Sequence, residues 1–184
     1  FMTTYIALLR GINVSGHNII KMVALRSLLT EWGLEKVITY IQSGNVVFQS
    51  ELQSTTALEN LIKEGIRKEF DYSVEVLVFN RQTLIKLFES NPFVGKPGMD
   101  ISKLAVMILK GNPDKEGLKV VEELTETIDE SIALIESRLY LHYPNGFGRS
   151  KLSNNYLEKK LKVSGTSRNW KTMTKLMELS ATIS

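Results

Sequence analysis

The sequence contains no cysteine, and only two of its 184 residues are histidines, His17 and His142. Without thiols the chain cannot form disulfide bonds, bind a metal through thiolates or use a cysteine nucleophile. A zinc site would have to be built largely from carboxylates, because zinc sites in proteins depend on cysteine and histidine. We therefore expect neither a bound metal nor another cofactor.

Long hydrophobic runs are absent as well. No stretch of the sequence approaches the roughly 20 apolar residues that span a bilayer. Apolar residues make up 43% of the chain and charged residues 23%, which is ordinary for a soluble globular protein. The N-terminus lacks the basic, apolar and small-residue order of a secretory signal. We expect a soluble cytoplasmic protein that does not associate with membranes.

Recognisable catalytic motifs are also lacking. The sequence has no G-x-x-x-x-G-K-[ST] phosphate-binding loop, no elbow motif around Ser43 and no paired acidic residues at a spacing that suggests acid–base work. The aromatic RNP1 pattern of RNA-binding sheets is missing too. His17 and His142 are the only histidine bases, so the sequence by itself defines no reaction.

Hydrophobic periodicity over the first 80 residues predicts the element order β-α-β-β-α-β. The segment 4–9 is apolar on both faces, which is typical of a central strand. Thr56 and Glu59 have the spacing of a capping box at the start of the second helix. This order is that of the ferredoxin-like, split βαβ arrangement. The predicted strands are 4–9, 37–41, 46–49 and 74–79, with helices beginning near Met22 and Thr56.

The pattern begins again after a Pro/Gly-rich joint at 91–98. A strand at 104–109, a helix capped by Asp114 and a strand pair follow, and the chain then ends in helices without an obvious fourth strand. We therefore predict an α+β fold of two ferredoxin-like halves, the second with extra C-terminal helices. The predicted ranges are 2–80 for the first half, 81–100 for a connecting helix and loop, 101–184 for the second half, and about 151–161 and 168–180 for the last helices.

Four short clusters of Gly, Asn and Arg or Lys follow or precede the apolar runs. Such loops present backbone N–H groups together with cationic side chains, which suits a bound anion. Residues 137–184 also hold nine basic residues against two acidic ones, a net charge of +7, which suits phosphate, an acidic partner or the acidic middle of the same chain. The candidate ligand-binding residues are Arg10, Asn13, Gln42, Ser43, Asn45, Arg149, Lys151, Arg168, Asn169 and Lys171.

The predicted topology brings the first two clusters together. In a split βαβ unit the first two strands run parallel with the third between them, so the end of strand one and the hairpin after strand two share one edge. This places Arg10 and Asn13 near Gln42 and Asn45. The alternative is structural: the glycines supply positive φ angles, and the asparagines hold turns through their own side chains.

The other two clusters precede predicted helices. Residues 145–151 form a glycine-rich turn that can hold an anion through backbone N–H groups, or that is simply a left-handed turn. Thr166 or Ser167 is predicted to cap the last helix, with Arg168 and Lys171 in its first turn. Cations there oppose the helix dipole by roughly 0.3–1 kcal/mol. A bound anion or internal acidic partners would explain both cations.

Six stretches stand out when they are read together: Tyr5-Ile6-Ala7-Leu8-Leu9-Arg10-Gly11-Ile12-Asn13, Tyr40-Ile41-Gln42-Ser43-Gly44-Asn45-Val46, Asn91-Pro92-Phe93, Tyr143-Pro144-Asn145-Gly146, Arg149-Ser150-Lys151 and Arg168-Asn169-Trp170. They resemble the bacterial family of conserved hypothetical proteins named domain of unknown function 1697. The resemblance extends over nearly the whole chain. It implies a small α+β protein with ferredoxin-like repeats, and it implies no reaction, substrate or catalytic residue.

Three functions follow from these features. The leading hypothesis is a protein that binds an anionic ligand, either a phosphorylated metabolite or a nucleic acid. The second is an enzyme for a small phosphorylated or carboxylated substrate, with Arg10, Arg149 and Arg168 as anion clamps and His142 or a tyrosine as acid or base. The third is a protein-interaction module whose basic surface meets a protein partner and which has no small ligand.

Overall fold

The computed structural model describes all residues of the chain, Phe1–Ser184. The chain divides into two compact units, one of residues 1–86 with 174–184 and the other of residues 87–173. Each unit contains one four-stranded antiparallel sheet. None of the helices combines the length and the hydrophobicity needed to cross a bilayer. The predicted division into a first half at 2–80, a connecting helix and loop at 81–100 and a second half at 101–184 stays a prediction.

The first unit has the predicted element order, and its strand order is β2-β3-β1-β4. β1 is central because six consecutive residues in it are buried, which supplies apolar side chains to both faces of the sheet. α1 and α2 place their buried residues on one face, against Tyr5, Ala7 and Leu9. The elements are β1 (Thr3–Arg10), α1 (Met22–Glu31), β2 (Glu35–Tyr40), β3 (Asn45–Ser50), α2 (Thr55–Phe70), β4 (Glu75–Asn80) and α3 (Arg81–Glu89), the last running into the second unit.

The prediction that Thr56 and Glu59 form a capping box at the start of α2 is wrong. Ser54 caps the helix, because its extended backbone lets the hydroxyl oxygen accept a hydrogen bond from the Ala57 amide at 3.1 Å. Thr56 is already inside the helix. Glu59 faces the sheet instead of the helix start, and its Oε1 accepts a hydrogen bond from the Val78 amide of β4 at 2.9 Å.

The second unit repeats this plan with the strand order β6-β7-β5-β8. α4 and α5 cover one face of the sheet, where Met107, Leu139 and Leu141 join their apolar residues in the core. The elements are β5 (Leu104–Leu109), α4 (Lys115–Thr125), β6 (Ser131–Ile135), β7 (Arg138–His142), α5 (Asn154–Leu161) and β8 (Gly165–Asn169). α6 (Trp170–Ile183) begins in this unit, and its residues from Thr174 onward belong to the first unit. The predicted helix pair is therefore interrupted by a fourth strand, and α6 alone is the extra C-terminal helix.

The prediction that the second half lacks a fourth strand is wrong, because β8 is that strand. Its residues pair antiparallel with β5, with Thr166 opposite Ile108 and Arg168 opposite Val106. The strand forms through this ladder, since its own sequence carries no alternating apolar pattern. Arg168 is thus in a strand and not in the first turn of a helix. The cap of α6 is Asn169, whose Oδ1 accepts a hydrogen bond from the Thr172 amide at 2.8 Å, and not Thr166 or Ser167.

Equivalent hydrogen bonds mark the two units as similar halves. The Leu9 amide at the end of β1 donates to the carbonyl of Gly44 in the β2–β3 hairpin at 2.8 Å. The Leu109 amide at the end of β5 donates to the carbonyl of Ser137 in the β6–β7 hairpin, also at 2.8 Å. In both units the end of the central strand is therefore tied to the hairpin beside it.

Candidate functional site

The first two predicted clusters meet in the first unit. Asn13 lies in the loop after β1, with φ 53° in the left-handed region. Its Nδ2 donates to the carbonyl oxygens of Gln42 at 2.8 Å and Ile20 at 2.9 Å, while its Oδ1 accepts from the Ile20 amide at 2.9 Å. The contact that the topology predicts is present. It is made by side-chain atoms that brace the loop against the hairpin.

The β2–β3 hairpin is braced in the same way. Asn45 is fully buried, and its Nδ2 donates to the Tyr40 carbonyl at 3.0 Å and to the Ser43 hydroxyl at 2.9 Å. Gly44 has φ 86°, and a Cβ there would come within 2.7 Å of Leu9 Cβ. Gln42 remains exposed at the tip. An anion at this hairpin would compete with internal bonds for the amide hydrogens of Asn13 and Asn45.

Arg10 ends β1 directly across from Glu75 of β4. Opposite charges in such a cross-strand pair stabilise each other. Glu75 also accepts a salt bridge from Lys63 at 3.4 Å. An acidic residue of the same sheet therefore lies beside this predicted anion clamp, and ligand binding at Arg10 stays a prediction.

The other two clusters border one cleft of about 410 Å³ in the second unit. This volume falls within the roughly 300–1,000 Å³ of small-molecule sites. No aspartate or glutamate is among the lining residues, and Arg168 is the one charged residue among them. The lining residues are Ala105, Tyr143, Phe147, Leu152, Ser153, Asn154, Ser167, Arg168 and Asn169.

A closed loop forms one side of the cleft. The Tyr143 hydroxyl donates to the Leu152 carbonyl at 2.9 Å, which joins the two ends of the loop. The Leu152 amide donates to Ser150 Oγ at 2.9 Å. Phe147, at the tip, is 43% exposed and lies edge-on to Tyr143, with ring centroids 5.2 Å apart. The loop is thus fixed at its base and presents an aromatic ring at its tip.

The starts of two helices also line the cleft. Ser153 caps α5 by accepting the Tyr156 amide at 3.1 Å, and Asn169 caps α6. Between them, the Ser167 hydroxyl donates to Asn154 Oδ1 at 2.6 Å. The N-terminal amides of helices carry partial positive charge. Asn154 Nδ2 in turn donates to Oε1 of Glu158 at 2.8 Å. This wall of the cleft is therefore polar and internally braced, and it combines helix amides with one carboxylate that is bonded to a lining residue.

Arg168 keeps its charge at neutral pH although it is largely buried. Burial lowers the pKa of its guanidinium from 12.5 to about 10. Its Nη1 donates to the Ser167 carbonyl at 2.9 Å. Because side chains alternate along β8, Arg168 belongs to the face of Val106, whereas Ser167 and Asn169 share the opposite face with Met107 and Ala105.

Three further cations of the predicted set adjoin the lining residues along the chain. Arg149 and Lys151 lie between the lining residues Phe147 and Leu152, and Lys171 lies two residues beyond Asn169. All three are exposed, and none of them forms an ion pair. Neighbouring carboxylates therefore do not neutralise these charges.

Acid–base groups are scarce at this cleft. Neither histidine lines it: His17 is in the exposed loop of the first unit, and His142 is buried beside Phe93, with ring centroids 6.4 Å apart. Burial, and to a smaller extent the charge of Glu130, raises the pKa of Tyr143. The tyrosine is therefore a neutral hydrogen-bond donor at neutral pH.

Sequence reasoning missed the apolar and aromatic part of this cleft. The sequence position of Phe147 could have indicated an exposed aromatic ring. The residue lies between Gly146 and Gly148 and is not part of an apolar stripe, so it is expected to be exposed. Ser153 was available as a helix cap just before the apolar spacing of α5. Tyr143 and Leu152 gave no such signal, since their roles depend on the hydrogen bond between them.

The comparisons with known proteins agree with this architecture. The model of the family described as "Protein of unknown function (DUF1697)" matches residues 2–140. The structure of the conserved bacterial protein SP0830 from Streptococcus pneumoniae is similar to this chain, with a TM-score of 0.68 and 26% sequence identity over 98% of this chain and 99% of that one. No curated protein matches the sequence significantly. The chain belongs to the DUF1697 family of proteins of unknown function.

Proposed function

We propose that the protein binds an anionic ligand, a phosphorylated metabolite or a nucleic acid, in the cleft of the second unit. One observation carries the proposal: the cleft has no carboxylate in its lining, and three exposed cations without ion pairs adjoin its lining residues along the chain. The proposed ligand contacts are Arg149, Lys151, Asn169 and Lys171; the side chain of Arg168 belongs to the opposite face of β8, so at this residue only the backbone is offered to the ligand. The proposal places the protein in the cytoplasm, where phosphorylated metabolites and nucleic acids are made.

Electrostatics supports an anion at this position. Lys171 is in the first turn of α6, where a cation opposes the helix dipole by roughly 0.3–1 kcal/mol. No carboxylate pairs with it to offset that cost. A phosphate between Lys171 and the loop cations would interact favourably with all of these charges and with the helix amides. The scarcity of acid–base groups favours binding over catalysis.

A double substitution tests this proposal. We expect Arg149→Ala/Lys151→Ala to weaken the binding of pyrophosphate and of ribose 5-phosphate about tenfold, which corresponds to about 1.4 kcal/mol. Isothermal titration calorimetry measures both ligands, with ribose as the uncharged comparison. Binding should also weaken as salt is raised, because exposed charges are screened. Both residues are exposed, so the unfolding midpoint should not change.

The matched control is Lys115→Ala/Lys119→Ala. Both lysines are exposed on α4, they do not line the cleft, and their removal changes the net charge by the same amount. Equal weakening by both double variants would mean that general charge attracts the anion, and the site would be rejected. Absence of binding by the unaltered protein at low salt would also reject it.

A further inference from the structure

The aromatic ring at the tip of the cleft loop indicates a second chemical feature of the ligand besides its negative charge. At an interplanar angle of 68° the rings of Tyr143 and Phe147 meet edge to face and do not stack on one another. Tyr143 is 7% exposed, whereas Phe147 is 43% exposed. The accessible aromatic surface therefore belongs to Phe147.

We infer that the ligand is a nucleotide, free or within a single strand, whose base stacks on Phe147 while its phosphate meets Arg149 and Lys151. This inference rests on the proposed function and adds an aromatic ring to the anion. An isolated exposed phenylalanine is ordinary on a protein surface. Here the ring lines a cleft, and the two unpaired cations follow it within four residues of chain.

The loop presents the ring of Phe147 with open space around the residues that flank it. Gly146 and Gly148 flank Phe147, and a Cβ at either glycine would meet no atom within 4 Å, so there is open space on both sides. The loop base is held by the bond from the Tyr143 hydroxyl to the Leu152 carbonyl. Stacking on an aromatic side chain tolerates any base, since every base has a π-face, and it is commonly combined with backbone-tracking cations.

The first experiment compares ligands that share parts. We expect AMP to bind at least tenfold more tightly than ribose 5-phosphate, which has the phosphate without the base, and than adenosine, which has the base without the phosphate. A short single-stranded oligothymidylate and the matching duplex separate the two sources of a nucleotide. Tighter binding of the single strand than of AMP would assign a nucleic acid, and the reverse would assign a free nucleotide.

The second experiment removes the ring and then restores one. Phe147→Leu should weaken the binding of AMP or of the oligonucleotide about tenfold and leave ribose 5-phosphate binding unchanged. Phe147→Trp should retain tight binding. The control Ile101→Ala removes apolar surface at a residue that is 58% exposed and outside the cleft, and it should change neither ligand.

The outcomes separate this inference from the proposed function. Equal affinity for AMP and ribose 5-phosphate, with no effect of Phe147→Leu, would overturn the nucleotide while the anion site stands. Failure of AMP, ribose 5-phosphate and the single strand to bind would overturn both. A loss in Phe147→Leu that extends equally to ribose 5-phosphate would mean that the residue supports the loop, and stacking would be rejected.

Discussion

Asn45→Asp is expected to lower the free energy of unfolding of the first unit by about 4 kcal/mol. The exchange keeps the size of the side chain but replaces the Nδ2 donor with a carboxylate oxygen. That oxygen would then face the Tyr40 carbonyl, which the amide contacts at 3.0 Å. Asn45 is fully buried, so water cannot solvate the new charge. The repulsion and the desolvation therefore act together.

The loss should depend on pH in a definite direction. Burial and the facing carbonyl raise the pKa of the introduced carboxyl in the folded protein above its unfolded value of about 3.9. The folded state then binds a proton more tightly, and the variant becomes less stable as pH rises through the folded pKa. At acidic pH the neutral acid can donate to the Tyr40 carbonyl, and the difference from the unaltered protein should narrow. Urea unfolding across pH 4–8 measures this difference.

Gln42→Glu is the matched control for this charge. It introduces the same amide-to-carboxylate change in the same hairpin, at an exposed side chain. We expect its stability to stay within about 0.5 kcal/mol of the unaltered protein. A similar loss in both variants would contradict the bracing role of Asn45, since the cause would then be the added negative charge.

The first unit shows what a sequence pattern can predict. The segment that became β1 is apolar on both faces, and the stripe that became α2 repeats with helical spacing, so local residues suffice to identify both. Their order then selects one sheet topology, and that topology correctly placed Asn13 beside the hairpin. Which groups accept hydrogen bonds from the side-chain amide of Asn13 depends on where the backbone carbonyls lie, and a pattern of residues does not predict those positions.

β8 shows where such prediction fails. The residues Gly165–Asn169 have no apolar alternation, and the strand exists because β5 offers an unpaired edge for hydrogen bonding. Arg168 was for this reason predicted in a helix, whereas the structure has it in a strand. The cleft was missed for a related reason. Its aromatic wall brings Tyr143 and Phe147 together with residues of β5 and β8, which are distant along the chain.

Gly117→Ala is the second substitution with a large expected effect, a loss of about 3 kcal/mol in the stability of the second unit. In an ordinary helix this exchange stabilises the chain by up to about 1 kcal/mol. Here a Cβ would overlap the carbonyl oxygen of Lys160. A backbone atom cannot move aside by changing rotamer, so α4 and α5 would have to separate.

Tryptophan fluorescence can report this loss from a residue of the second unit. Trp32 and Trp170 are the two tryptophans, and they lie in the first and the second unit respectively. In a Trp32→Phe background, urea unfolding reported by Trp170 should show the lower stability of Gly117→Ala. Gly148→Ala, where a Cβ would meet no atom within 4 Å, is the control and should change stability little.

Gly117→Ala is also expected to affect the cleft, because α5 contributes to its lining. α5 begins at Asn154, which lines the cleft and accepts the hydrogen bond of Ser167. Displacing α5 to admit the Cβ would therefore disturb that polar wall, and anion affinity should fall even at temperatures where Gly117→Ala remains folded. A gain in stability, as for an ordinary helical glycine, would show that the two helices have room between them, and the expected loss of affinity would then have no cause.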